Sequence, residues 1–351
     1  MNLSVKKENA WRGIMTTCGI MIIALTLAIG AFLIIKGSGT FVKYHHSIGE
    51  FLFSSEWAPK DGANDYGGKV GAAIYIAGSL MTCGLGLLIA LPFSIAAAIF
   101  ITIIAPKAGA KIFQPVIEIF VGIPSVVYGW IGLTILVPFI KNTFHAQMGG
   151  FSVLAAGIVL AVMIFPTITT VSADAIRSVP HDYMTAAYGL GATRWQVIHA
   201  IIIPAAKTGI FTGIILGLAR ALGEALAVAM VIGKTRSFPG NILSPTTNLT
   251  SALASDMGNT ADGGEYNLAL WSMVLLLYII SIVAITIIHV ISNHKSHEEK
   301  ETDEETEKNI NTTKTAKAAG TVVPAKYNKA AGTTVPARNT SITANKRREC
   351  V

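Results

Sequence analysis

Six apolar runs, near residues 13–35, 71–105, 112–140, 151–173, 207–233 and 267–291, constrain this chain more than any other feature. A hydrocarbon layer about 30 Å thick is crossed by roughly 20 residues of helix. No water is present there to bond free peptide groups, so a run must close its hydrogen bonds within itself, as helix does. Unbroken apolar runs also exclude a transmembrane β-barrel, whose strands alternate in polarity. Composition agrees, with 52% hydrophobic and 13% charged residues, where a soluble domain carries about a quarter charged. The expected fold is an all-α membrane protein of about six transmembrane helices in a lipid bilayer.

The second run is too long for one straight span and contains Pro92, so it is expected to kink or to begin outside the membrane. The first follows Lys6, Lys7 and Arg12, exceeds a signal-peptide core in length and lacks a small-residue cleavage site, so it reads as an uncleaved span. The net charge of +7 is spread out: residues 293–351 hold 11 Lys and Arg against 8 Asp and Glu, a net of +3. No basic patch interleaved with aromatics exists, which argues against nucleic acid. Cys18, Cys83 and Cys350 show neither disulfide nor metal spacing. No metal or cofactor is expected.

Basic flanks are retained on the cytoplasmic side. An inside N-terminus places Lys6, Lys7, Arg12, Lys107, Lys111, Arg177, Arg194, Lys207 and the basic tail together inside. The outer loops are then 36–70, 141–150 and 234–266, and both termini are cytoplasmic. Three regions follow: 1–70, with the first span and outer loop; 71–292, the membrane core with a cytoplasmic loop at 177–206; and 293–351. The last contains an imperfect twelve-residue repeat, Lys317–Asn328 and Lys329–Thr340, and its composition predicts disorder.

The cytoplasmic loop carries the most specific pattern. From Val179 to Ile210 it reads VPHDYMTAAYGLGATRWQVIHAIIIPAAKTGI. Small residues, a breaking Gly191 and an apolar face through Trp195, Val197, Ile198, Ile201 and Ile203 predict helix, turn and helix along the membrane surface. Such a face in a cytoplasmic loop needs a cover. The spacing resembles the coupling motif of ABC importer permeases, EAA, three residues, G, nine residues, I, one residue, LP. Thr185, Ala186, Ala187, Gly191, Ile201, Ile203 and Pro204 occupy the matching positions, with Thr185 where the family has Glu. The resemblance implies a type I (MetI-like) permease fold whose loop enters a cleft of a separate ATP-hydrolysing subunit. The chain itself does not bind ATP: Gly233, Lys234 and Thr235 mimic a P-loop end, but Val228 stands where a glycine is required. Ser125, His181 and Asp182 do not form a triad, so no enzyme activity is expected.

Charges inside the apolar runs are the second constellation. In a continuous fifth helix, Arg220 and Glu224 would share one face. A charge in lipid costs roughly 2.5 kcal/mol or more, so both should face protein or a wet cavity. They form either a structural ion pair or an anion site. A guanidinium suits oxyanion oxygens, and a nearby carboxylate tolerates an anion that donates a proton, as monohydrogen phosphate does and sulfate does not. In the third run, Pro124 between Gly122 and Gly129 predicts a broken helix. Its Ser125 and Tyr128 either offer hydroxyls to a passing anion or belong to a packing kink without ligand contact, and Glu118, near the cytoplasmic end, is a structural partner or a gate.

The segments FVGIPSVVYGWIG (Phe120–Gly132) and LGLARALGEALAVAMVIG (Leu216–Gly233) resemble PstC-type permeases of phosphate ABC importers, as does the outer stretch Phe51–Gly68. The resemblance implies a heterodimer with a second homologous permease, two ATP-binding subunits and an extracytoplasmic phosphate-binding protein. The competing readings are a permease for molybdate or sulfate and a phosphate-sensing membrane scaffold.

Overall fold

The computed structural model describes residues 2–60, 67–146 and 148–290, with residues 2–10 as backbone only. The expected disordered tail and its repeat lie outside the described residues, as does part of the outer stretch Phe51–Gly68. Among the described residues six helices are long and apolar enough to cross a membrane: Trp11–Val42, Ala73–Ile104, Ser125–Phe144, Met148–Arg177, Arg194–Gly223 and Glu265–Val290. Each apolar run of the sequence overlaps one of them, so the six-helix expectation holds.

The third run breaks where Pro124 predicts, and both ends of the fifth span differ from expectation. The third run splits into Gln114–Gly122 and a span from Ser125, because Pro124 sits between them at φ −59° and ψ 142°, outside helical geometry. Its missing N–H and ring end the preceding helix. The fifth span starts earlier, at Arg194, and stops at Gly223, followed by a separate short helix Leu226–Val231. The arm's second helix is therefore the beginning of the fifth span rather than a separate surface helix.

That continuity depends on how the chain accommodates proline. The helix widens to five-residue turns at Gly109–Phe113, Gly132–Leu136 and Ile198–Ile202, directly before segments whose second residues are Pro115, Pro138 and Pro204. A proline ring collides with the carbonyl four residues earlier, and Lys111, Thr134 and Ala200 all fall inside the widened turns. Widening moves that carbonyl aside without ending the helix.

The fourth span is the centre of the bundle: 67% of its most apolar stretch is buried, against 6% to 33% in the other five. Glycines bring its neighbours close. A Cβ on Gly157 would lie 2.8 Å from Leu85 of the second span, and one on Gly86 3.0 Å from Leu160. Gly209, Gly213 and Gly217, spaced by one turn, lay the fifth span against Ala175, Ser172 and Ile168 of the fourth. Apolar side chains gain nothing by leaving lipid for one another, so close backbone approach supplies the packing.

The two ends of the bundle are built differently. At one, Arg177 Nη2 donates to Gln114 Oε1 at 3.3 Å, beside the arm. At the other, the fully buried Glu265 carboxylate accepts from Lys60 N at 2.9 Å and Gly68 N at 3.2 Å, and is hydrogen-bonded to His46 Nε2 at 2.7 Å. These partners satisfy the buried acid and close the segment after the first span over the start of the sixth.

Candidate functional site: a half-buried arginine, a polar helix face and a coupling arm

The arm begins with helix His181–Gly189 and ends it by a specific motif. Gly191 N donates to Tyr188 O at 3.0 Å and Ala192 N to Ala187 O at 3.1 Å, with Gly191 at φ +83°. This pair of bonds around a left-handed residue is a Schellman cap, where glycine avoids a Cβ penalty. Thr193 then starts the next helix through a reciprocal capping box with Gln196. Gly191 thus turns the arm, and a Cβ there would meet nothing within 4 Å. Ala187, Val197, Ile198 and Ile202 are buried in the arm's own core, and Ile201 and Ile203 pack against it. Thr185, Ala186 and Pro204 are exposed, and the Thr185 hydroxyl donates to His181 O at 2.9 Å. What remains uncovered is led by Leu190 and Trp195, 90% and 69% exposed.

Arg220 lies in the last turn of the fifth span, half-buried, and its Nη1 donates to Thr167 Oγ1 of the fourth span at 3.0 Å. The register follows from the glycine stripe: with Gly217 packed on Ile168, the next turn meets Thr167. Glu224 does not share its helical face. Glu224 is extended, at φ −77° and ψ 121°, and no ion pair joins it to Arg220 among the described residues. Its Oε1 instead accepts from Ala227 N at 3.1 Å, capping Leu226–Val231, and its carbonyl accepts from Thr250 Oγ1 at 2.7 Å. The self-neutralising pair open to a continuous helix is thereby replaced by a cation on one element and a cap on the next.

Ser125 is half-buried in the first turn after Pro124. Tyr128 is buried, and its hydroxyl donates to Phe120 O at 2.8 Å. That carbonyl belongs to the last turn before the break, where helical partners are missing, so Tyr128 ties the two halves together. Its proton is engaged and only its oxygen is left to accept.

Sequence reading missed a polar face on the fourth span. Thr167, Thr170, Asp174 and Arg177 recur at intervals of three, four and three, which places them on one side of a helix. Thr170, Asp174 and Arg177 are exposed in the single chain. Together with Gln114 and Glu118 they line a cleft whose wall also includes Ile101, Ile117 and the buried Thr169 and Ala173. The spacing was visible, but the expected span ended at 173, before the two charges. An exposed polar face on the most buried span needs a cover other than lipid.

Six spans, a capped arm presenting apolar side chains and a polar face ending near a lone arginine define the membrane component of a transporter. Residues 90–296 match the family of binding-protein-dependent transport system inner membrane components, and the chain belongs to it. It is a non-catalytic, multi-pass inner-membrane permease subunit of an ABC importer, which works with ATPase subunits and a binding protein. It is 47% identical over 270 residues to the probable ABC transporter permease protein YqgH of Bacillus subtilis, covering 77% of this chain and 86% of that protein. It is 32% identical over 277 residues to the phosphate transport system permease protein PstC of Haemophilus influenzae, covering 74% and 82%. A PstC of Pasteurella multocida is 34% identical over 249 residues, covering 66% and 75%. Among solved structures, an inward-facing MetNI methionine ABC transporter chain aligns with TM-score 0.46 at 18% identity, covering 62% of this chain and 96% of that one.

Proposed function

We propose that this chain is the PstC-type permease of a phosphate importer and that inorganic phosphate passes beside Arg220. The observation that carries the proposal is the state of that arginine: permanently charged, half-buried within the span region, bonded to a neutral hydroxyl and free of any acid among the described residues. Such a guanidinium keeps donors for an oxyanion. The similarity to proteins named as phosphate permeases supports the same substrate. Glu224, Ser125 and the Tyr128 oxygen border the route, and Glu224 favours an anion that still carries a proton.

The polar face at Thr170, Asp174 and Arg177 fits a second, homologous permease, so that the passage runs between two chains. The arm residues Thr185 to Pro204 then engage one of two ATP-binding subunits on the cytoplasmic side, with both termini on that side. An extracytoplasmic phosphate-binding protein delivers the ion opposite. Uptake of radiolabelled phosphate into vesicles containing the assembled transporter tests this reading. Arg220→Ala should lower uptake about a hundredfold, the scale of lost charge-assisted hydrogen bonds, with the complex still assembled. Unchanged uptake, or uptake of molybdate or sulfate in preference to phosphate by the unaltered protein, overturns it.

A further inference from the structure

A second cleft lies at the end of the bundle away from the arm. Its position follows from the second span: Tyr75 opens that span and lines the cleft, while Thr102 and Ile103 at the far end border the arm. The cleft spans about 280 Å³, its open mouth included, and is lined by Tyr75, Lys234, Arg236, Thr247, Ser251 and Asp256 among others.

Its floor holds two hydroxyls without partners. Tyr75 and Ser251 are 1% and 0% exposed; among the described residues neither Tyr75 Oη nor Ser251 Oγ has a hydrogen-bond partner, and the Arg236 guanidinium is the charged group beside Tyr75. Buried polar atoms left without partners are rare and call for a bound group or water. The rim holds two cations. Lys234 is exposed and makes no ion pair among the described residues. Arg236 Nη2 is shared between Asp256 Oδ2 and Tyr266 Oη, both at 3.2 Å. Asp256 also accepts from Tyr266 Oη at 2.6 Å, so the one acid lining the cleft among the described residues is already engaged.

The backbone that carries the rim is unusual. Gly233 and Lys234 both have positive φ, +99° and +50°. Lysine seldom adopts that conformation, and such residues persist where surrounding bonds impose them. Here Thr246 N donates to Ile232 O and Thr235 N to Thr246 O, both at 3.2 Å, which pins the turn. Lys234 is thus presented over the cleft rather than along the preceding helix.

Hydroxyl donors below and cations above suit a small anion with several acceptor oxygens. We infer that this cleft is a receiving site that holds inorganic phosphate at the mouth opposite the arm, before it reaches Arg220. The inference rests on the phosphate reading for the identity of the ion, and on the arm being cytoplasmic for its place at the outer mouth. The chemistry of the cleft is independent of both.

Equilibrium binding of radiolabelled inorganic phosphate to the purified, assembled transporter, without binding protein or ATP, tests the site. Lys234→Gln and Tyr75→Phe should each weaken it about tenfold. Tyr75→Phe keeps the buried ring and removes an oxygen with no hydrogen-bond partner among the described residues, so loss of fold does not confound it. The binding protein is absent, so a docking contact through Lys234 does not either. Binding that is untouched by Lys234→Gln and Tyr75→Phe overturns the site, as does an absence of millimolar binding by the unaltered transporter. Failure of the phosphate reading itself registers separately, as missing phosphate uptake by unaltered vesicles.

Discussion

Arg220 and Glu224 stand four positions apart, yet they belong to different elements because the helix stops between them. Their substitutions should therefore separate cleanly. Glu224→Ala removes the cap on Leu226–Val231 and should destabilise the protein by about 1 kcal/mol, read as a lower melting temperature of the purified complex. Glu224→Gln keeps an oxygen for Ala227 N and should melt like the unaltered protein. It also removes the carboxylate that disfavours an unprotonated dianion, so sulfate should begin to inhibit phosphate uptake. If Glu224→Gln leaves sulfate as ineffective as before, the carboxylate is a cap and nothing more. The same distinction applies to Tyr128, whose residue type suggested a ligand and whose hydroxyl joins the halves of a broken helix.

At the level of elements, the glycine stripe of the fifth span makes the sharpest claim. A Cβ at Gly213 would sit 3.3 Å from Ile168 O and Ser172 Oγ, whereas one at Gly84 would meet nothing within 4 Å. Gly213→Leu should separate the fourth and fifth spans, cost about 1–3 kcal/mol of packing and lower the yield of assembled complex. Gly84→Leu should leave that yield unchanged, and equal yields would show that the stripe does not set the packing. Apolar length made the spans readable, since about 20 such residues have few other uses, and Pro124 announced the third-span break. The break after Gly223 was only weakly signalled: glycine favours helix ends, but Ala221, Leu222, Ala225 and Leu226 around it are all good helix formers. It is Glu224 capping Ala227 N and Thr250 bonding the Glu224 carbonyl, contacts made only in the folded chain, that hold it. Nor does proline spacing alone reveal that Pro204 widens a continuous helix instead of ending one.

For the whole molecule, the arm divides its apolar residues between its own core and an outside partner. Val197, Ile198 and Ile202 are buried, whereas Leu190 and Trp195 are exposed. A Leu190→Ser, Trp195→Ser variant should insert normally but lose co-purification of the ATPase subunits, because a few buried aromatic and aliphatic anchors dominate such interfaces. Retained co-purification would assign the contact elsewhere. The arm's second helix and the fifth span form one rod from Arg194 to Gly223, about 45 Å at 1.5 Å per residue. Trp195 is at one end, and Arg220 sits three residues from the other. A tug at the grip is thus delivered, with little slack, to the turn that bears the charge. Residue count also fixes the angular phase between the two: deleting one residue between Pro204 and Arg220 would swing the guanidinium by about 100°, away from Thr167, with grip and charge both chemically intact.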